Sequence, residues 1–491
     1  MESKPDRPTW TKRVLPPLTA LAASTALLYL GTGFQPISIL TWIAPFPVLW
    51  LATRTRTAVA VPVAGLAWLL GSSNAWSYYL DSYDVPLPIA ISILLGCATL
   101  FALTAWLFRA LVVRGRILPA ALAAPALWTG ASFLIGKASP VGVIGQLMTT
   151  QTDLPAALQL ASVTGGWGVE YLVLFVPAGI AALLAPDLAR PMRIRAAAVT
   201  TAILVLTVGF GLARMSTGPG PARTVALVVH ADSAWAPDVA TTEGEQTLAA
   251  YAARIAALPA DVDLAVLPEG ALGSHDTTLA ELTGPLSKVA TEHDIDIVVG
   301  VILFENDGPD AGGAKYNTAI AIPADGRAPA IYRMHNANTN GSELTTGTEL
   351  THLPGAGTLA LGVCRDVNFP DPAGAYAEGG ARMWLLPARD EIGNSRQHAI
   401  AGTIRAMENG MSMAWSAKLG VLFLTDAYGR ILGEALADRS GGFVTVVAEL
   451  PEGPGATFYT RTGDWFPWAC AALAAAAFAL VFAPRRDRSG A

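Results

Sequence analysis

Two short segments of this sequence end in side chains able to do covalent chemistry. Leu264-Ala265-Val266-Leu267-Pro268-Glu269 carries a carboxylate just past a buried-type apolar run, and Leu361-Gly362-Val363-Cys364 carries a thiol in the same relation to another. A carboxylate beside a thiol can serve as general base to a nucleophile, because a thiol gains reactivity once its proton is removed. Cys97 and Cys470 fall inside long apolar runs, so Cys364 is the one thiol in the polar part of the chain. Spacing alone leaves two plainer readings open: a buried structural cysteine, and a strand-end salt bridge for Glu269. Three cysteines without a C-x-x-C spacing make neither a disulfide framework nor a zinc site. The six histidines, all between His230 and His398, form no H-E-x-x-H pattern. No metal and no cofactor is expected. A net charge of −6 supplies no basic field for nucleic acid.

Both segments need strands that end at a common edge, since ligands of α/β sheets sit at the carboxyl ends of strands. Apolar, β-branched runs predict strands near 224–230, 263–267, 295–304, 316–322, 330–332, 359–364, 383–386, 413–417, 421–424 and 442–447. Helical patterns fall near 243–258, 277–292 and 396–410. Strands and helices interleaved in this way predict a layered α/β domain. If the strands before Glu269 and Cys364 are parallel, the two side chains face one pocket.

The rest of the chain has a different character. Its 491 residues are 52% hydrophobic and only 14% charged, with mean hydropathy +0.43; soluble domains carry roughly 25% charged residues. Apolar runs near 14–33, 34–52, 57–79, 86–108, 117–136, 167–186, 194–213 and 466–484 are long enough to cross a bilayer as helices. Residues 1–213 therefore read as a membrane domain of about seven helices, 214–465 as the α/β domain, and 466–491 as a last helix with a basic tail. The first run follows a basic segment but lacks a small-residue cleavage site, so it reads as a retained helix. Basic residues precede the first span and follow the second, fourth, sixth and eighth (Arg54, Arg109, Arg190 and Arg485 among them), and the alternate loops carry almost none. That alternation predicts cytoplasmic termini and an α/β domain on the extracytoplasmic side of the cytoplasmic membrane. Seven helices exceed what an anchor requires, which points to a lipid substrate.

The motifs of the polar domain also carry a resemblance. Leu267-Pro268-Glu269, Tyr316-Asn317, Asp325-Gly326, Tyr332 with His335, Gly362-Val363-Cys364-Arg365-Asp366 before Phe369-Pro370, Arg405-Ala406-Met407-Glu408-Asn409 and Asp426-Ala427-Tyr428-Gly429 run in the order of the nitrilase (carbon–nitrogen hydrolase) superfamily. Together with eight spans, the chain resembles the bacterial apolipoprotein N-acyltransferases. Gln159-Leu160-Ala161-Ser162 with Thr164, Gly165 and Gly168, and Tyr459-Thr460-Arg461-Thr462-Gly463-Asp464-Trp465, are similar to that family's segments beside membrane spans. The resemblance implies a helical membrane bundle carrying an αββα nitrilase-like domain. It also implies a reaction: Cys364 takes an acyl chain from a membrane phospholipid as a thioester, and the amine of a diacylglyceryl-cysteine lipoprotein then receives it. Glu269 would be the base, and Glu343 would lie near a second glutamate of the family.

The chain departs from the family where a third group is needed. The Tyr-x-Lys-x-His stretch reads Tyr332-Arg333-Met334-His335-Asn336, so Met334 stands where a lysine would donate to the developing oxyanion. Of the remaining lysines, Lys288 falls on a surface helix and Lys315 before the Tyr-Asn strand. Lys418, in Ser416-Ala417-Lys418-Leu419-Gly420, could compensate or could merely occupy a turn. The loops Asn338-Thr339-Asn340-Gly341-Ser342-Glu343 and Pro387-Ala388-Arg389-Asp390-Glu391-Ile392 also differ from the family. Two alternatives stay open: a membrane-tethered amidase, and an inactive relative that binds lipoprotein or assists an active enzyme.

Overall fold

The computed structural model describes residues 10–483 apart from 77–78, 80–85, 144, 152–153, 187, 219, 307, 309–311 and 338–342. Among the described residues, seven helices are long and apolar enough to cross a membrane: Val14–Gly31, Thr57–Ala75, Leu87–Val112, Ile117–Ala138, Gly166–Leu183, Arg190–Met215 and Trp465–Phe482. The run at 34–52 is not one helix. It forms Ser38–Thr41 and Phe46–Ala52, with a turn at 42–45 between them. Pro45 and Pro47 interrupt the hydrogen-bond ladder, and the polar groups of the first piece bond elsewhere. Ser38 Oγ donates to Thr150 O at 2.6 Å and Trp42 Nε1 to Gln151 Oε1 at 2.7 Å.

The broken segment still runs the depth of the bundle. Ile37 N donates to Leu30 O beside the end of the first helix, whereas Arg109 donates to Ala52 O at the opposite end. Arg54 and Arg116 join that end by bonding Leu184 O and Leu480 O. Helices Ile117–Ala138 and Gly166–Leu183 form the centre, 67% and 78% buried, against 22–28% for the other five. Gly130 lets the last helix approach: a Cβ there would lie 2.8 Å from Ala471 N.

The α/β domain consists of two sheets packed face to face, with helices on the outer faces. The first runs in the order Phe443–Pro451, Ala222–His230, Leu264–Val266, Asp296–Glu305, Ala314–Ile322, Ala330–Arg333, with Leu272–His275 also paired to Asp296–Glu305. The second runs Ile431–Leu436, Val421–Thr425, Ser412–Lys418, Met383–Arg389, Ala356–Leu361, His352–Leu353. The central strands of each are parallel. Alternation sorts the first sheet's side chains: Val225, Leu227 and Val229 enter the core between the sheets, and Ala226 and Val228 face helices Thr242–Ala256 and Leu279–His293. Helix Ser395–Glu408 covers the second sheet and meets the membrane bundle.

That junction is built from the two segments similar to the acyltransferases. Gly166 N donates to Glu408 Oε1 at 2.6 Å, Gln159 Nε2 to Tyr428 O at 2.8 Å, and Trp465 Nε1 to Val163 O at 2.8 Å. Gly165, at φ +68, leaves no room for a side chain, since Tyr459 would lie 2.7 Å from its Cβ.

Candidate active site

Glu269 and Cys364 leave central strands of different sheets, not neighbours in one, and meet across the sandwich at its shared carboxyl edge. Strand Leu264–Val266 gives way to Leu267-Pro268-Glu269, and Gly300 on the next strand lets this loop lie flat: a Cβ there would be 2.4 Å from Pro268 O. Glu269 N then crosses to the other sheet, donating to Ala388 O at 3.1 Å. Asn317 Nδ2 donates to Glu269 Oε1 at 2.7 Å. Oε2 is buried with no hydrogen-bond partner among the described residues, and the nearby Cys364 thiol lowers the carboxyl's proton affinity.

Cys364 is not the strand's last residue. The strand ends at Leu361, and Cys364 opens the turn Cys364–Asn368 with φ +39, a left-handed conformation unfavourable for a residue with a Cβ. Asp366 holds the turn in this state. Its carboxylate accepts from Val363 N at 3.0 Å, Tyr332 OH at 2.8 Å, and Asn336 N and Nδ2 at 3.1 Å each. The thiol points back at the Met383–Arg389 strand and donates to Arg389 O at 3.2 Å.

Burial raises the Glu269 pKa; the thiol, Asn317 and Arg389 pull it down, and Asp390 pushes it up again. Burial, with the charges of Glu269 and Asp390, raises the Cys364 pKa well above its ordinary value. The resting pair is therefore a neutral thiol beside a carboxyl of raised proton affinity. Such a base takes up a thiol proton during attack more readily than an ordinary carboxylate does.

The other expected site residues scatter. Met334 is buried in the same apolar cluster as Cys364, its backbone fixed by Met334 N to Asn317 O and Gly347 N to Met334 O. Its side chain offers no donor. Lys418 is not in a turn: it is the last residue of strand Ser412–Lys418, buried, and its Nζ donates to Ser233 Oγ at 2.8 Å and Ala234 O at 2.6 Å. Desolvation and Arg389 lower its pKa to about 8. It straps the 233–236 segment down, and the cation acting on Glu269 is Arg389, whose guanidinium lies 4.9 Å from the Trp235 ring centroid. Glu343 is exposed, with no ion pair to a described residue, and most of its loop, 338–342, lies outside the described residues. Lys288 pairs with Glu292 on the surface, and Lys315 covers the Phe304 ring.

Sequence reasoning named no role for Asn317, Asp366, Arg389, Asp390 or His398. Asn317 and Asp366 lay inside quoted motifs, so the signal was present. For His398, whose Nδ1 meets Asp390 Oδ1 at 2.7 Å, no local pattern marked it.

Residues 24–179 match the apolipoprotein N-acyltransferase N-terminal domain, and residues 224–453 match the carbon–nitrogen hydrolase domain. Proteins named apolipoprotein N-acyltransferase match along nearly the whole chain. The one from Geobacter metallireducens is 27% identical, covering 94% of each chain, and the one from Rhizobium etli is 25% identical, covering 89% of each. The chain belongs to the apolipoprotein N-acyltransferase family. Among solved structures, an amidase from Nesterenkonia sp. is similar to the α/β part: 22% identity, TM-score 0.38, covering 48% of this chain and 94% of the amidase. The family's two-part organisation is thus present in one chain, with Met334 inside its hydrolase-like half.

Proposed function

We propose that this membrane protein transfers an acyl chain from a phospholipid to the N-terminal amine of a diacylglyceryl-cysteine lipoprotein through a thioester on Cys364. The observation that carries the reading is the pairing of Glu269 with Cys364 directly on the membrane bundle. The Cys364 turn rests on the loop after helix Ile117–Ala138: Val143 N donates to Asn368 O at 2.9 Å and Arg365 to Pro140 O at 2.9 Å. A lipid ester held at the bundle surface reaches the thiol without a long path through water. A largely apolar, partly open pocket of the bundle, lined by Leu28, Trp68, Leu94, Leu147 and Gln397, is suited to part of an acyl chain.

In the first half-reaction Glu269 takes the Cys364 proton while sulfur attacks the ester carbonyl. Collapse of the tetrahedral intermediate expels the lysophospholipid alkoxide, which receives that proton from Glu269. With Met334 unable to donate, stabilisation of the oxyanion falls to backbone amides of the turn that Cys364 opens. In the second half-reaction the lipoprotein amine attacks the thioester and restores the thiol.

The domain's position follows from charge. The bundle end that gathers Arg54, Arg109 and Arg116 is opposite the α/β domain, and basic ends favour the cytoplasm. The domain then lies outside, with both termini inside. Full-length relatives that carry the bundle argue against a tethered amidase, and the intact Glu269–Cys364–Asn317 arrangement argues against an inactive relative.

Purified chain, given phospholipid and a synthetic diacylglyceryl-cysteinyl peptide, is expected to yield N-acylated peptide and lysophospholipid in equal amounts. Release of ammonia from amides without acyl transfer would overturn the reading. Thiol labelling of single cysteines placed near Arg114 from outside the cell would overturn the orientation.

A further inference from the structure

Three consecutive residues at the end of strand Met383–Arg389 touch three different reactive groups. Ala388 O accepts from Glu269 N, Arg389 O accepts from the Cys364 thiol, and Asp390 Oδ1 meets His398 Nδ1 at 2.7 Å. The first two belong to the proposed thioester chemistry. The third is a buried acid–imidazole pair for which that chemistry gives no use.

The proton balance of acyl transfer leaves a task unassigned. In the first half, one proton leaves the thiol and one is taken by the departing alkoxide, so a single base suffices. The acceptor amine arrives as an ammonium with three protons, and the amide product keeps one. Of the two released, one returns to the Cys364 thiolate, which Glu269 can relay. The other needs a second acceptor.

We propose that Asp390 and His398 form that acceptor: His398 Nε2 takes the ammonium proton of the incoming lipoprotein amine, and Asp390 holds the ring. The inference rests on the acyl transfer proposed above. His398, Gly402 and Arg405 share one face of helix Ser395–Glu408, and that face packs on the Cys364 turn. Arg405 Nε donates to Val367 O at 3.3 Å, and a Cβ on Gly402 would lie 3.3 Å from Val367 Cγ1. The Trp415 ring stands edge-on to the imidazole at 4.9 Å and steadies it. Nε2 of His398 and Oδ2 of Asp390 are both buried without a hydrogen-bond partner among the described residues, whereas an ordinary core histidine has its nitrogens satisfied. The adjacent Gln397 lines the cavity in the bundle, so the helix turn that carries His398 borders both that cavity and the Cys364 turn. The ionisable groups around the pair are Arg389, Lys418, Glu269 and Cys364. Asp390 acts electrostatically on the last two, and Lys418 O accepts from Asp390 N at 3.0 Å.

The test separates the two half-reactions in the full-length chain in phospholipid micelles. Cys364 is first acylated, and a diacylglyceryl-cysteinyl peptide is then added. An α-amine with pKa about 7.7–8.0 is only about one-tenth unprotonated at pH 7. His398→Gln should therefore slow transfer to the peptide about tenfold at pH 7, with the deficit closing by pH 9, and leave Cys364 acylation within about threefold of wild type. Hydroxylamine, uncharged at neutral pH, should take the acyl group from variant and wild type at the same rate. Asp390→Asn also removes a charge that holds up the Glu269 and Cys364 pKa values, so its acylation rate is measured in its own right. Its transfer to the peptide should show the same pH-dependent deficit relative to its own transfer to hydroxylamine, and this decides the matter alone if His398→Gln fails to fold. Equal losses in both half-reactions, a deficit unchanged from pH 7 to pH 9, or slow transfer to hydroxylamine would each overturn the assignment. Those outcomes would also leave the thioester route itself standing, because acylation is measured separately.

Discussion

Replacing Met334 by lysine adds an ammonium to the buried cluster that contains Cys364, whose partner Glu269 has one buried carboxylate oxygen, Oε2, without a hydrogen bond among the described residues. The backbone at 334 is fixed to Asn317 and Gly347, so the new side chain starts from a defined point in the cluster that contains Cys364. One added oxyanion donor is worth about 2.7–4 kcal/mol, or roughly 100- to 1,000-fold in rate. An opposing effect is smaller. A cation beside Glu269 lowers the proton affinity that burial and Asp390 hold up, and each unit of pKa lost weakens the base by at most about tenfold. The net expectation for Met334→Lys is faster thioester formation, by about tenfold or more. Single-turnover acylation of Cys364 from phospholipid, followed as lysophospholipid release, measures it; Met334→Leu, similar in size and without a donor, should match wild type. A folded Met334→Lys protein acylated no faster than wild type would refute the reasoning, and the oxyanion would then already have its full set of donors.

Glu269→Gln removes the base and should slow Cys364 acylation by about 10²–10⁴-fold with little change in the melting temperature. Asn317→Leu deletes a hydrogen bond to a carboxylate, worth about 1.5–3 kcal/mol, and should cost roughly 10- to 100-fold. Without Asn317 the Glu269 pKa rises further, so the acid limb of the acylation pH profile should move to higher pH. Lys418 has a folded-state pKa of about 8 against an ordinary 10.5, so the folded chain binds fewer protons than the unfolded one between those values. Its burial cost is present below pH 8 and is relieved as pH rises toward 10.5. Thermal stability should therefore climb across that window in wild type and stay flat in Lys418→Met.

Much of this arrangement was legible in the sequence. Apolar length marked the membrane passes, and the alternation of basic loops is what the proposed direction rests on. The exception at 34–52 shows the limit of a hydropathy window, which counts apolar residues but not the prolines and polar contacts that break a helix. The strands carrying Glu269 and Cys364 were visible as buried runs. Their placement in two facing sheets was not, because strand pairing depends on partners distant in sequence. Lys418 fell between the strands expected at 413–417 and 421–424, where a turn or a compensating role both stayed open, yet it ends a strand and binds the 233–236 segment. His398 was invisible for a related reason: its partner Asp390 lies in a loop that departs from the family, and only the fold brings the two to the Cys364 turn.

The central claim is that Cys364, activated by Glu269, carries the acyl chain. Mass analysis of the Cys364 peptide after a short incubation with phospholipid, before any acceptor is added, tests it most directly. The account predicts one acyl group in thioester linkage on Cys364 in wild type, removable by hydroxylamine, and none in Cys364→Ser or, over the same interval, in Glu269→Gln. An unmodified Cys364 in a preparation that still transfers acyl chains to lipopeptide, or a thioester that forms equally fast in Glu269→Gln, would contradict it.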